Sequence, residues 1–280
     1  MSLLFNGRFK STDKYINAGL FQSAYGTLWN GTFPRPDCII SIPDSRFGYV
    51  VKMDIIAPEK NRLPDGRDRN QLQWTSTNVG ASLQYKDIWE SYSLKLDSDW
   101  TVKETNGVWY SITSASSLNF YRPPGISGEF GLTNFNGVYP TTTLPLLNFN
   151  YRDVIGDITP EIWNVLNMKI GEWYDFLFHV KLARNNTGAF EYYIKEPGQT
   201  DYKLIASKTN TPTQMTIPDY PDDVWMSKFG LYRGVAKKDL PGATTKRTIY
   251  HSGIMVGTTK ADVIDDVTCP TPQCKITITS

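Results

Sequence analysis

The chain is poor in the groups that most often carry chemistry or anchor a protein. Of its 280 residues only 2 are histidines and 3 are cysteines. Any imidazole chemistry therefore falls on His179 or His251. Cys38 stands alone in the strand-like run CIISI and reads as a small buried apolar residue. Cys269 and Cys274 flank turn-forming residues and leave two outcomes open, a small disulfide loop or two thiols. No further ligands follow at finger-like spacing, so neither a metal site nor a cofactor is expected. Charge of one sign is also missing. Lys plus Arg number 29 against 28 Asp plus Glu, for a net charge of +1. A polymer-length cationic field is excluded and nucleic acid with it, whereas local basic clusters still suit an anionic sugar chain. No window approaches about eighteen apolar residues, so no membrane span is expected. The opening MSLLFNGRFK has a short apolar stretch broken by Asn6 and Gly7, too short for a secretory signal. The protein is then expected to act inside a cell, to have lost a signal, or to leave by a route such as lysis.

Several reaction motifs are absent as well. There is no Gly-x-Ser-x-Gly elbow, phosphate-binding loop, dinucleotide fingerprint or calcium loop. A retaining glycosidase needs two carboxyl groups about 5 Å apart, which on one strand face asks for acids two residues apart. No Glu-x-Asp or Glu-x-Glu pair occurs.

What is present is alternation. Tyr49 to Ile56, Ile88 to Leu96, Trp109 to Leu118, Trp173 to Leu182 and Phe190 to Lys195 all show the period-two pattern of half-buried strands. Turn signals such as Pro64-Asp65-Gly66, Asn106-Gly107 and Pro197-Gly198 separate them. One helix is expected from Thr159-Pro160-Glu161, an N-cap, a first-turn proline and an acidic first turn, followed by Ile162, Trp163, Val165 and Leu166. Gly131 to Asn150, rich in Asn, Thr and Pro, reads as a long loop. The pattern weakens past Asp262. These features predict an all-β, two-sheet sandwich with one short helix, a single domain over 1–262 and a tail or further segment over 263–280.

Three stretches hold candidate functional residues. In KFGLYRG, Lys228, Gly230 and Tyr232 share one strand face and Phe229, Leu231 and Arg233 the other. A phenol beside an ammonium across a glycine leaves room for a ligand near the backbone. The competing reading is a tyrosine that merely packs, one of 16 in the chain. In RDRNQLQW, Arg67, Arg69, Gln71 and Gln73 fall together opposite Leu72 and Trp74, forming a ladder able to hold carboxylates and hydroxyls. In WYDFLFHVKL, the face of Tyr174, Phe176, Phe178, Val180 and Leu182 belongs to the core, which leaves His179 and Lys181 on the other face, as site residues or as solvated positions. His251 lies in IYHSGIMVG, where neither face is clearly the core.

Taken in order, these stretches resemble the jelly-roll polysaccharide lyases of concanavalin-like fold, chiefly those related to heparin and glucuronan lyases and more distantly the alginate lyases. RNQL echoes their Arg-Ser/Thr-Glu-Leu strand, and WYDFLFHVK followed by TGAFEYYI echoes a Trp-x-Asp-x-x-x-His-Val-Lys strand and its successor. KFGLY echoes their Lys-x-Gly-x-Tyr strand, and IYHSGIMVG their closing strand. The similarity runs from about Tyr49 to Gly257. It implies β-elimination next to a uronic acid, with Arg69 and Gln71 facing the carboxylate and Tyr232 as acid or base. A phenol of ordinary pKa, about 10, needs a neighbouring cation to act as base, and Lys228 or Arg233 would supply it. The chain departs from those families where they carry Gln-x-His. WYSITSASSL offers Thr113, Ser114 and Ser116 there, hydroxyls that bind sugar without deprotonating carbon. Three readings follow: His179 substitutes from another strand, the tyrosine suffices, or the domain binds glycans without cutting them. The expectation is a lyase of an acidic polysaccharide, extracellular or virion-borne. The alternative is a silent glycan-binding or structural module of the same fold, for instance on a virus particle.

Overall fold

Alternation along the strands decides which faces meet. In a computed structural model of the chain, Gly188–Lys195 alternates without fault: Phe190, Tyr192 and Ile194 are buried while Ala189, Glu191, Tyr193 and Lys195 are half-exposed. The structure describes residues 3–6, 22–23, 39–55, 68–75, 87–101, 108–118, 129–133, 146–151, 161–183, 185–211, 213, 224–235 and 246–264. Arg67, Cys38, Cys269 and Cys274 lie outside them.

Sixteen strands and one short α-helix occur among the described residues. In chain order the strands are β1 (Leu3–Asn6), β2 (Gln22–Ser23), β3 (Ile39–Asp44), β4 (Gly48–Ile55), β5 (Asp68–Thr75), β6 (Asp87–Leu96), β7 (Val108–Leu118) and β8 (Glu129–Thr133). They continue with β9 (Leu146–Tyr151), β10 (Glu161–Asn167), β11 (Trp173–Lys181), β12 (Gly188–Lys195), β13 (Lys203–Thr211), β14 (Val224–Val235), β15 (Arg247–His251) and β16 (Met255–Gly257), and α1 is Lys260–Ile264. Nine strands form one sheet, ordered β13-β12-β11-β6-β15-β4-β3, with β16 pairing β6 and β1 pairing β16. Seven form the other, β10-β9-β8-β7-β14-β5-β2. The two-sheet all-β architecture expected from the sequence is the one that forms.

The core lies between the sheets. Met53 and Ile55 of β4, Tyr92 and Leu94 of β6, Phe176 and Phe178 of β11 and Phe190 and Ile194 of β12 pack with Phe229 and Leu231 of β14. Burying each such side chain stabilises by about 1.5–3 kcal/mol, so this one cluster is enough to clamp the two sheets. His251 is buried within it, its ring 4.3 Å from Phe229 and 5.2 Å from Tyr92. Its Nδ1 accepts the Gly253 N–H at 3.1 Å, which fixes the tautomer with the proton on Nε2. The histidine whose face the sequence left open is thus a core residue spanning the sheets.

Three expectations are corrected. Glu161 to Asn167 is strand β10 rather than a helix, paired antiparallel with β9. The short helix is α1, where Asp262 Oδ2 accepts the Thr259 backbone N–H and hydroxyl, both at 2.8 Å, at the N-terminal end. Val263 within it is buried. The supposed long loop contains strand at both ends, in β8 and β9, and 134–145 lies outside the described residues.

Candidate functional site

Two sets of candidate residues end on different sheets. Phe229, Gly230 and Leu231 of β14 are all buried, and along the unshifted pairing of β14 with β5 positions 228, 230 and 232 alternate with Phe229 and Leu231. The antiparallel register of β5 against β14 then sets Arg69 opposite Tyr232, Gln71 opposite Gly230 and Gln73 opposite Lys228. Cross-strand partners of this kind have Cβ atoms about 4.5–5.5 Å apart. On the other flank of β14, Tyr232 is opposite Ser111 and Lys228 opposite Ser114 of β7. The phenol, guanidinium, ammonium and amide positions therefore stand on two neighbouring strands, while positions 111 and 114 of β7, three apart, belong to opposite faces of that strand. Arg233 is opposite Asp68 and shares the alternation of Phe229 and Leu231, so it is not brought to that row.

The register contains an irregularity at its centre. Between Phe229 and Tyr232, β14 has one residue more than β7 over 113 to 111, while its pairing with β5 runs without a shift. Gly230 sits in this bulge with φ of 129°, a backbone conformation that residues with a Cβ rarely adopt. The bulge sets Tyr232 opposite Ser111; an unbroken ladder from Phe229 opposite Thr113 would have reached Tyr110.

His179 and Lys181 belong to β11 in the nine-stranded sheet, on the face turned away from the core. The core lies between them and the row of Arg69 and Tyr232, so neither joins it. The solvated reading of that outer face holds at the exposed Lys181 but not along the whole strand. Asp175 and Leu177 are both buried there. The Asp175 carboxylate accepts from Arg46 Nη2 and from Ser93 Oγ, each at 2.6 Å, and Lys195 Nζ is 3.0 Å away. Leu177 packs with Met255 and with Val263 of α1. The His179 ring stacks on Trp89 at 4.2 Å between two carboxylates, with Glu191 3.1 Å from Nδ1 and Asp87 3.2 Å from Nε2. Burial and the hydrogen bond that Tyr193 donates to Glu191 push the Tyr193 phenol up to about 12. Among the described residues no group of three or more His, Cys, Asp or Glu side chains is arranged to hold a metal ion. No helix of the described residues is long and apolar enough to cross a membrane.

The seven-stranded sheet also brings in positions that sequence reasoning had passed over. The row through Arg69, Tyr232 and Ser111 continues to Gly131 of β8 and Asn148 of β9. A signal for β9 existed, since LLNFNY alternates Leu147, Phe149 and Tyr151 with Asn148 and Asn150.

The family model described as polysaccharide lyase matches residues 48–255. The search of curated proteins finds no match. Among solved structures, an endo-β-1,4-glucuronan lyase from the fungus Trichoderma reesei is similar with a TM-score of 0.53 at 15% identity, over 87% of this chain and 96% of that one. The PL-14 alginate lyase from Aplysia kurodai gives a TM-score of 0.55 at 9% identity, over 92% and 100%. A GH131 β-glucanase catalytic domain from Podospora anserina gives 0.56 at 14% identity, over 92% and 97%. At such identities the likeness establishes the shared jelly-roll fold, and the activities in those names belong to those proteins.

Proposed function

This chain belongs to the polysaccharide lyase family, and from that premise we propose that it cleaves a uronate-bearing glycan by β-elimination on the seven-stranded sheet. The observation that carries the reading is the register of Arg69 directly opposite Tyr232, with Gln71 beside Gly230 and Lys228 two positions along the same strand. The reaction sets three tasks. Arg69 and Gln71 neutralise the uronate carboxylate, which makes the C5 proton more acidic. Tyr232, as phenolate, removes that proton; the electron pair forms the C4–C5 double bond as the C4–O4 bond breaks. The departing oxygen takes a proton, which the newly protonated Tyr232 can return. An ordinary phenol has a pKa of about 10, and Lys228 and Arg69 favour its anion. His179 has no part in this scheme.

Tyr232→Phe tests it. The ultraviolet absorbance of the unsaturated product, followed on a panel of uronate polysaccharides, is expected to fall by roughly 10²- to 10⁴-fold. Affinity for the same glycan should persist. Unchanged cleavage in the variant would overturn the assignment.

A second reading rests on the hydroxyl-rich β7, WYSITSASSL, which lacks an imidazole. Here the same face holds a glycan without cutting it, as a binding or structural module, for instance of a virion. Binding on every substrate with no unsaturated product would favour it. Reducing ends without the ultraviolet signal would indicate a hydrolase instead. Either reading puts the protein where polysaccharide is met, outside cells or on a virus particle, and treats 1–262 as one functional unit.

A further inference from the structure

The strand that carries Tyr232 is irregular two residues before it, and little holds it there locally. Gly230, at φ of 129°, is the residue type with the widest choice of backbone conformations, and a bulge gives up part of the ladder. Packing must therefore keep the segment in place. Its members Phe229 and Leu231 are fully buried. Phe229 meets the His251 ring at 4.3 Å, with the planes 27° apart. Behind His251 stands Tyr92, 5.2 Å away and inclined by 16°, whose hydroxyl is hydrogen-bonded to that of Tyr192. The three rings form a stack across the molecule, from β6 and β15 of the nine-stranded sheet to β14 of the seven-stranded one. The Gly253 N–H donates to His251 Nδ1 at 3.1 Å, which stops the imidazole turning and fixes the face it offers to Phe229.

We infer that His251 is a positioning residue for the proposed reaction: through Phe229 it pins β14 in the register that sets Tyr232 opposite Arg69. The inference rests on the β-elimination proposed above and deepens it. His251, wholly buried, acts from inside the core rather than on the glycan. Two physical points carry the pin. A slip of β14 by one residue along β5 would move Tyr232 off Arg69 and, in the same step, carry Phe229 out of the ring stack. Close-packed interiors also transmit strain, so a misplaced Phe229 is felt three residues along, at position 232. A displacement of about 1 Å at a reacting group can cost about 10²-fold in rate, so a small shift is readable.

The experiment measures kcat and KM on a uronate polymer, per folded molecule, together with hydrogen exchange of the β14 amides at 230–232. His251→Asn keeps an acceptor for the Gly253 N–H but removes the ring. It is expected to lower kcat roughly tenfold with KM within about twofold, and to speed exchange at those amides roughly tenfold. His251→Phe restores the ring and should recover most of kcat, although stranding the Gly253 N–H lowers the urea midpoint. Phe229→Leu, which keeps an apolar side chain without the ring, should repeat the kcat loss, and adding it to His251→Asn should cost nothing more. It carries the test where His251→Asn does not fold. Val180→Ala lies in the same core cluster, four residues along β11 from the Phe176 that pairs with Tyr92. It should lower the urea midpoint and leave both kcat and the exchange at 230–232 unchanged. A wild type that cuts no uronate polymer would end the lyase reading alone, and the exchange data would still decide the pin. Unchanged kcat and exchange in His251→Asn and Phe229→Leu, or changes that Val180→Ala matches, would overturn the inference.

Discussion

The outer face of the nine-stranded sheet and the Tyr232 face of the seven-stranded sheet use the same residue types in opposite ways. On the former, opposite charges are interleaved and consume one another. Asp175 is bound by Arg46, Lys195 and Ser93. Asp54 has Lys52 at 3.5 Å and Lys246 at 3.8 Å. Lys95 is 3.8 Å from Asp44 and lies over the Trp173 and Tyr250 rings. His179, the residue that most invites a catalytic reading, is held between two acids. On the other sheet, Arg69 and two amides of β5 stand across from a phenol, a glycine and Lys228 of β14, and Asp68 falls opposite Arg233 on the core-side alternation. On the nine-stranded sheet, a density of charge and aromatic rings is accounted for by pairing within the protein.

Four substitutions sharpen this contrast, in decreasing size of effect. On the proposed scheme Tyr232→Phe should lower cleavage by the same roughly 10²- to 10⁴-fold while leaving the urea midpoint unchanged. Asp175→Ala should do the reverse. It strands Arg46 and Lys195 around a buried site, costs about 3 kcal/mol in denaturant unfolding, and leaves turnover per folded molecule intact. A drop in turnover without a loss of stability would sink the distinction between the faces. His179→Gln is expected to cost no more than about 1 kcal/mol, since Asp87 and Glu191 are both well exposed, and to leave the ultraviolet assay untouched. Smallest is the effect of Asp97. Burial alone would raise its pKa, but hydrogen bonds from Tyr250 at 2.5 Å and from Ser98, with the nearby Lys246, hold it below the ordinary value. A carboxyl depressed in the folded state stabilises above its unfolded pKa, about 3.9, and that contribution fades as pH falls through the folded value. Asp97→Asn should therefore flatten the acid limb of stability below about pH 4 and leave the neutral region little changed, as thermal melts across pH would record.

How much was legible depended on whether a strand is regular. β11 and β12 alternate without interruption, and Tyr174, Phe176, Phe178 and Val180 could be assigned to the core from spacing alone. β10 could not. Its apolar residues at 162, 163, 165 and 166 fit a helix, yet a register shift between Trp163 and Val165 sets Trp163 opposite Phe149 and Leu166 opposite Leu147. A strand with one extra residue imitates a three-residue period. The burial of Asp175 and Leu177 was invisible for another reason, since it depends on Arg46 and Val263, far away in sequence. The α1 start carried a signal in Thr259-Lys260-Ala261-Asp262 that the sequence reading passed over. For the candidate site, the alternation of KFGLY and RNQLQ gave the face of each residue, but only pairing could say that residue 69 meets residue 232.

The surplus residue at Gly230 has a bearing on how such a surface can change. It lies between β14 and β7 and not between β14 and β5, so the two flanks of β14 are kept in step separately. Slipping β7 and everything beyond it by one position would turn each of their side chains to the other face and still leave Arg69 opposite Tyr232. The register of β14 with β5 and the register of β14 with β7 are thus set independently, divided by a single glycine.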